Sequence, residues 1–187
     1  LDGTFTMTSQ SSKSLYEGVD QLKKTYVAAG YGEVEAYIVT VAHDANVELK
    51  VSAGAWDESN NAENPAETKT VVNHFRAVKN AGFNVLAMIN GGFFDLNTTG
   101  SMLPLGMQVV DGVVNQEYST QNYVALKAPI DNWFGMTNDG KYVISNAAGY
   151  ANTYAGNVKQ AIGGGRLLMV DGVVQDISSE RDFRTAV

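Results

Sequence analysis

The sequence predicts an α+β fold in which an antiparallel, hairpin-rich mixed sheet packs against at least two helices. Three observations predict this class: two segments with helical spacing of apolar residues, Asp-Gly turns between short apolar runs, and a hydrophobic content of 44%. That content is enough for a hydrophobic core, and 187 residues correspond to one domain or two small ones. The composition is therefore typical of a folded protein rather than a disordered one.

The first predicted element is a helix within "SLYEGVDQLKKTYVAAG", residues 14–30. Ser14 and Glu17 have the spacing of a capping box, in which the two side chains accept hydrogen bonds from backbone groups of the first turn. Gly30 follows the last apolar position and is suited to end a helix. We therefore predict an N-terminal helical segment at 1–33. The apolar residues at helical spacing are Leu15, Val19, Leu22 and Tyr26.

Two strands are predicted next, at 33–42 and 46–54, because both segments are rich in strand-forming residues and flank the turn "HDAN". A polar loop with one proline follows at 57–67. Residues 68–82 then predict a second helix, which Gly82 would end. Its apolar stripe comprises Val71, Phe75 and Val78.

The second half of the chain predicts strands and hairpins. The segment "FNVLAMIN" (83–90) is almost wholly apolar, which predicts a short strand buried on both faces. Residues 106–116 and 165–176 share "VDGVV", and an Asp-Gly pair between apolar runs predicts a type I′ hairpin turn in each. The segment "TNDGKYVIS" (137–145) predicts a third hairpin.

Charge and composition exclude several classes of function. The net charge of −7 repels phosphate backbones, so we expect no nucleic-acid partner. The absence of cysteine excludes disulfides, thiolate zinc sites and a cysteine nucleophile. No apolar run reaches the length of about 18 residues that a membrane span needs, so we expect no membrane insertion.

The two histidines do not predict a metal or a nucleophilic triad. His43 lies in a predicted turn, and His74 is expected on the surface of the second helix. Neither lies within a ligand pattern, so zinc is not expected. Serine is frequent and histidine scarce, so no Ser-His-Asp set is recognisable.

The segment "INGGFFD" (89–95) is the first candidate for chemistry. Gly91 and Gly92 would follow the end of a strand and let backbone N–H groups approach a ligand. Asn90 and Asp95 would add polar groups and a charge, while Phe93 would wall the site or stack on a sugar ring. The alternative is a tight turn with core phenylalanines.

Two later segments repeat this combination of flexible backbone and charge. "QAIGGGRLLMVDG" (160–172) carries three successive glycines before a strand, but it lacks the Gly-Lys-Ser/Thr of a phosphate-binding loop. Its alternative explanation is a bulge or linker. "SSERDFRTAV" (178–187) contains Glu180 and Arg184 within a charge run that would otherwise be a solvated surface.

We expect no cofactor, with calcium as the one alternative. Asp95, Asn97, Thr99 and Gly100 occupy positions 1, 3, 5 and 6 of a calcium-loop pattern. Position 12 is Gly106, where the pattern requires a bidentate glutamate. The pattern is therefore incomplete.

Four segments in order, "INGGFFD", "PLGMQVVDGVV", "QAIGGGRLLMVDG" and "RTAV", resemble the phosphodiester glycosidase family. The resemblance spans residues 34–187 and predicts a family-like domain over that range. Family members continue to an Asp-Gly-Gly-Gly-Ser segment, whereas this chain ends at Val187. We therefore expect the domain to be truncated at its C-terminus, with the remainder missing or supplied by another chain.

The resemblance implies hydrolysis of a sugar-1-phosphodiester, such as an N-acetylglucosamine-1-phosphodiester, at the anomeric carbon. It implies Arg184 as the phosphate clamp, because a guanidinium binds oxyanions through two parallel hydrogen bonds. Asp95 and Glu180 are the candidate catalytic carboxylates, in an order that stays open. The expected substrate-binding residues are Asn90, Gly91, Gly92, Phe93, Gly163, Gly164, Gly165 and Thr185.

The predicted function is therefore that of a glycosidase acting on glycan or cell-envelope material. Cysteine absence and acidic charge fit a secreted or surface-attached bacterial protein, and the first of these also fits a reducing compartment. The alternatives are a carbohydrate-binding or envelope-associated module without turnover, and a structural domain in which "INGGFFD" is only a core turn.

Overall fold

The structure, a computed structural model, describes residues 5–30, 32–53, 70–94, 104–117, 122–123 and 128–175. These residues form two compact units. The first unit holds the described residues up to Glu48 together with Asn84–Ala87, and the second holds those of Leu49–Phe83 and from Met88 onward.

The first unit is a three-stranded antiparallel sheet of consecutive strands. Its strands are β1 (Phe5–Tyr16), β2 (Val19–Ala28) and β3 (Gly32–Val41), with β2 in the centre. β3 confirms the strand predicted at 33–42. The second strand of that prediction, at 46–54, is wrong for its described residues, because 46–53 form no strand.

The helix predicted at 14–30 is wrong, since these residues belong to β1, to β2, to the turn between them and to the turn that follows β2. Gly18 makes that turn with φ +74°, and a β-carbon there would lie 2.8 Å from the Ala45 β-carbon. The backbone of β2 bonds to a strand on each side, with Leu22 opposite Ser12 in β1 and Ile38 in β3. These non-local partners override the helical spacing, which is a weak local preference.

The second predicted helix is confirmed as α1 (Val71–Asn80). Thr70 caps its start by accepting a hydrogen bond from the Asn73 backbone N–H at 3.3 Å. Its end forms a Schellman motif, because the N–H groups of Gly82 and Phe83 bond to carbonyl groups of the last turn.

The strand predicted at 83–90 is wrong. The described residues there form no strand, and Phe83 and Ile89 are each 49% exposed rather than buried. An apolar run alone does not supply the neighbouring strand that a ladder needs.

The second unit contains a five-stranded antiparallel sheet in the order β5-β4-β10-β8-β9. Two short pairs accompany it, β6 (Asn122–Tyr123) with β7 (Ala128–Pro129) and β11 (Met169–Val170) with β12 (Val173–Val174). The strands of the large sheet are β4 (Gln108–Val110), β5 (Val113–Gln116), β8 (Asn132–Thr137), β9 (Tyr142–Asn146) and β10 (Val158–Gly164).

All three predicted hairpins are confirmed. Asp111 and Gly112 join β4 to β5 with φ angles of 47° and 83°. Asp171 and Gly172 join β11 to β12 with φ angles of 48° and 79°, the positive pair that a type I′ turn requires. The third hairpin joins β8 to β9 through a turn that ends at Gly140, with φ 81°.

The predicted packing against at least two helices is confirmed only in part. Besides α1, the described residues contain α2 (Ala147–Gly149), which is a single turn that continues as the π-helical turn Tyr150–Tyr154. The sheets are antiparallel and rich in hairpins, as predicted. No helix in the described ranges is long and apolar enough to cross a membrane.

The core of the second unit forms around Trp133, which is 1% exposed. The rings of Tyr150 and Tyr154 meet it edge-on at centroid distances of 6.2 and 5.5 Å. The Trp133 indole donates to the Asn146 carbonyl at 3.0 Å, which satisfies its buried N–H. The buried cluster comprises Met107, Val109, Trp133, Tyr150, Val158 and Ala161.

Gln160 is a fully buried polar residue in β10, and both ends of its amide are bonded. Its carbonyl oxygen accepts from the Val51 backbone N–H at 3.0 Å, and its amide nitrogen donates to Asp111 Oδ1 at 2.6 Å. Lys50 Nζ donates to the same oxygen at 3.0 Å. Segment 50–51 and the β4–β5 turn are thus both tied to β10.

The Asp111 carboxylate predicts a pH-dependent contribution to stability. The Lys50 hydrogen bond is the largest cause that holds the Asp111 pKa below its ordinary value, and Gln160 adds to it against the cost of desolvation. A carboxylate with a lowered folded-state pKa stabilises the fold above its unfolded pKa, about 3.9, and loses that effect as the pH falls through the folded value.

We therefore expect Asp111→Asn to lower the free energy of unfolding at pH 7 by less than about 1 kcal/mol, because the pair is partly exposed. The difference from the wild type should shrink toward zero below the lowered pKa. Asparagine keeps the tolerance for the positive φ at this turn. Urea unfolding of both proteins between pH 3 and pH 7 measures the difference, and a constant difference would contradict this assignment.

Candidate functional site

The two glycine-rich segments predicted to share a site lie against each other in the second unit. A β-carbon at Gly92 would lie 2.9 Å from the Gly163 carbonyl oxygen. A β-carbon at Gly163 would lie 2.6 Å from the Gly106 α-carbon and 2.7 Å from the Met107 nitrogen. Three backbone segments therefore approach more closely than any side chain allows. We call Gly92, Gly106 and Gly163 the glycine cluster.

Three further glycines border this cluster and have room for a side chain. The nearest atom to a β-carbon is Ile162 Cγ2 at 3.7 Å for Gly91, and the Asn132 carbonyl oxygen at 4.0 Å for Gly164. For Gly165 it is Phe93 Cε2 at 3.8 Å. We call Gly91, Gly164 and Gly165 the rim glycines. The need for glycine at the cluster is thus explained by packing, whereas packing against the described residues does not explain the rim glycines.

Neighbouring contacts fix the segment that carries Phe93. Its carbonyl oxygen accepts from the Leu105 N–H at 2.9 Å, and Phe94 forms a β-bridge with Pro104. Phe93 and Phe94 are 46% and 41% exposed, so their rings are not core residues. This argues against the alternative in which "INGGFFD" is only a turn with buried phenylalanines.

Asn132 fixes the other side, at the end of β10. It pairs with Gly164 across the β8–β10 ladder, and its side-chain amide donates to the Gly165 carbonyl oxygen at 2.6 Å. The peptide after the glycine run is therefore held in one orientation next to Phe93.

The structure thus brings together Gly91, Gly92 and Phe93 with Gly163, Gly164 and Gly165, and Asn90 precedes them directly in the chain as an exposed residue. Whether these residues bind a substrate stays a prediction. Asp95, Glu180, Arg184 and Thr185 lie outside the described residues, as do Asn97, Thr99 and Gly100 of the calcium-loop pattern.

Sequence reasoning missed two residues of this arrangement. Gly106 completes the cluster, and a glycine between two apolar residues just before a strand was the available signal. Asn132 is a positioning residue, and its sequence context "DNWFG" carries no comparable signal because its partner is 33 positions away.

The expectation that His74 lies on the helix surface holds only in part. His74 is half-buried, and its Nδ1 lies 2.8 Å from the Ser52 hydroxyl. In a serine-hydrolase arrangement Nε2 faces the serine and Nδ1 faces the acid, so this contact is not that of a catalytic triad. It ties α1 to the segment that precedes the helix.

A comparison with protein-family models decides the family. The model described as phosphodiester glycosidase matches residues 83–187, which is more than half of the chain. The chain belongs to the phosphodiester glycosidase family. The match includes all three members of the glycine cluster and all rim glycines, and it confirms the resemblance carried by the four sequence segments. A search of the curated proteins found no significant match.

Membership in the phosphodiester glycosidase family identifies the chain broadly as a glycosidase-type hydrolase with a glycan substrate. The described part of this family member contains no group of three or more histidine and carboxylate side chains placed to hold a metal ion. Next to the cluster, Phe93 offers exposed aromatic surface and the rim glycines offer backbone, the two features that bind a sugar ring and an oxyanion.

Proposed function

We propose that the protein hydrolyses a sugar-1-phosphodiester, such as an N-acetylglucosamine-1-phosphodiester, at the anomeric carbon. The observation that carries the proposal is the packing of Gly92 against Gly163, because it joins two family segments that lie 71 positions apart. Phe93 and Gly165 meet at the same place, 3.8 Å from the phenyl ring to a glycine β-carbon position. Glycan or cell-envelope material would supply such a diester.

The reaction needs one bond change at the sugar. A water oxygen forms a bond to the anomeric carbon while the bond from that carbon to the bridging oxygen breaks. The electron pair of the broken bond stays with the phosphate, and one proton of the water passes to a carboxylate. The products are the free sugar and a phosphate monoester, which is a dianion above its second pKa of about 6. This leaving group needs little protonation, unlike that of an ordinary glycosidase.

Each chemical requirement has a candidate residue. Asp95 or Glu180 would receive the proton or stabilise the positive charge that develops on the sugar ring. Arg184 would hold the phosphate through two parallel hydrogen bonds. Asn90, Thr185 and the rim glycines would bind hydroxyl groups of the sugar or oxygens of the phosphate.

Phe93 supports the carbohydrate part of the proposal. Its ring is nearly half exposed in a segment that is fixed on both sides, so the exposure is built into the fold. A fixed, exposed aromatic ring offers an apolar face to the C–H groups of a sugar with little loss of conformational entropy on binding.

A secreted or surface-attached bacterial protein would meet such substrates, and this location is part of the proposal. The absence of cysteine and the net charge of −7 fit this location, and the first of these also fits a reducing compartment. Expression in a bacterium tests the location: the protein should be detected in the culture medium or in the cell-surface fraction.

The decisive experiment uses the full-length protein and both anomers of N-acetylglucosamine 1-(methyl phosphate) in ¹⁸O-labelled water. We expect free N-acetylglucosamine to form, with the label in the sugar and none in the methyl phosphate. Methyl N-acetylglucosaminide, with a neutral leaving group, is the matched control and should react far more slowly.

Label in the phosphate would show cleavage at phosphorus instead of carbon and would overturn the proposed mechanism. Sugar binding without release from either anomer would favour the alternative, a carbohydrate-binding module without turnover.

A further inference from the structure

Arg166 is the charged residue that directly follows the rim glycines. A β-carbon at Gly165, the residue before it, would lie 3.8 Å from Phe93 Cε2, and the Gly165 carbonyl oxygen accepts a hydrogen bond of 2.6 Å from the Asn132 side-chain amide. On its other side, the Gln175 N–H bonds to the Leu168 carbonyl at 3.0 Å and closes the β11–β12 hairpin. The backbone around Arg166 is therefore held at both ends, next to the candidate site.

The Arg166 side chain is exposed, and within the described ranges it forms no hydrogen bond or ion pair. Two lysines of the same unit are engaged, since Lys50 bonds to Asp111 and Lys141 bonds to Asp139 at 2.7 Å. No carboxylate among the described residues holds this side chain, so none of the described contacts of the fold uses its charge.

The net charge of the protein gives this cation a physical role. A net charge of −7 repels an anionic substrate at long range. A phosphodiester carries one negative charge, and the phosphate monoester released from it carries close to two above about pH 6. A guanidinium beside the glycine cluster offsets the repulsion and interacts more strongly as the second charge develops.

We infer that Arg166 contacts the phosphate group of the ligand at the glycine cluster and favours the dianionic phosphate monoester over the monoanion. Its part in turnover rests on the proposed function, whereas its part in phosphate binding does not. The reaction adds a negative charge to its leaving group. It therefore requires a second cation in addition to the one proposed at Arg184.

The test of binding titrates the full-length protein with methyl phosphate between pH 5 and pH 8, by NMR chemical shifts or calorimetry. We expect the wild type to bind more tightly as the pH rises through about 6, where the ligand becomes a dianion. Arg166→Gln should bind at least about tenfold more weakly at pH 7.5 and should lose most of this pH dependence. Arg166→Lys should restore part of both, because it keeps the charge but not the planar fork.

Arg76→Gln is the matched control. Arg76 is also an exposed arginine, but it lies on α1 and outside the rim. Its variant should bind methyl phosphate as the wild type does, and both glutamine variants should keep the wild-type melting temperature.

Two outcomes would overturn the inference: no measurable binding of methyl phosphate by the wild type, or equal binding and equal pH dependence in the wild type and Arg166→Gln. Turnover of the diester is measured separately. Binding that depends on Arg166, with no turnover in any variant, would refute the proposed function and leave this inference standing. Turnover of the diester, together with methyl phosphate binding that does not depend on Arg166, would refute this inference and leave the proposed function standing.

Discussion

Replacing Gly163 by alanine is expected to lower the free energy of unfolding by about 3 kcal/mol. The new β-carbon would lie 2.6 Å from the Gly106 α-carbon and 2.7 Å from the Met107 nitrogen. Both are backbone atoms, so no side chain can rotate away, and β10 must separate from the segment that precedes β4. Met107 belongs to the buried cluster, so this separation also loosens the core.

Gly164→Ala is the matched control, one position along the same strand. Among the described residues, a β-carbon there meets only the Asn132 carbonyl oxygen, at 4.0 Å, and the φ of Gly164 is not positive. We expect this variant to be as stable as the wild type or slightly more so, since alanine restricts the unfolded chain. Urea unfolding followed by tryptophan fluorescence measures both variants. Equal midpoints for the two would show that β10 and the Gly106 segment are not in backbone contact.

The hairpins could be predicted from the sequence because their determinants are local. A type I′ turn requires two consecutive positive φ angles, and the Asp-Gly pairs at 111–112 and 171–172 tolerate them. The start and end of α1 follow from Thr70 and Gly82 for the same reason. In each case the residues that determine the structure are adjacent to the structure they determine.

The first unit could not be predicted in this way. Leu15, Val19, Leu22 and Tyr26 recur at helical spacing, and the capping-box pattern of Ser14 and Glu17 agrees with it. What decides in favour of strands is pairing on both sides of β2, with partners that lie elsewhere in the chain. Local spacing cannot report the existence of those partners. Gly18, in the middle of the supposed helix, was the one local indication of a turn.

The candidate site, too, could be predicted only where its determinants are local in the sequence. The sequence identified two glycine segments that the fold brings together, but it could not separate glycines that pack from glycines that line a surface. Gly163 and Gly164 are neighbours with identical local chemistry, and only the approach of the Gly106 backbone distinguishes them. A functional interpretation of a glycine run therefore requires the distance from each α-carbon to the nearest backbone.

The second large effect is expected at Arg184. We predict that Arg184→Ala lowers kcat/KM for the sugar-1-phosphodiester by at least about 100-fold, or about 3 kcal/mol of barrier, if Arg184 holds the phosphate. The leaving group changes from one negative charge toward two, so a bidentate guanidinium is worth more in the transition state than in the bound substrate. The loss should therefore fall more on kcat than on KM.

Arg181→Ala provides a control within the same segment, because it removes a like charge three positions away. It should keep most of the activity, and Arg184→Lys should recover only part of it, since an ammonium cannot form the planar double contact. Comparison with Arg166→Gln separates the two arginines: the loss of kcat/KM for the diester in Arg184→Ala should persist at pH 5, whereas the effect of Arg166→Gln on methyl phosphate binding should fade as the dianion is protonated. Arg184→Ala and Arg181→Ala with equal, undiminished kcat/KM would remove Arg184 from the mechanism and leave the phosphate to the rim glycines and Arg166.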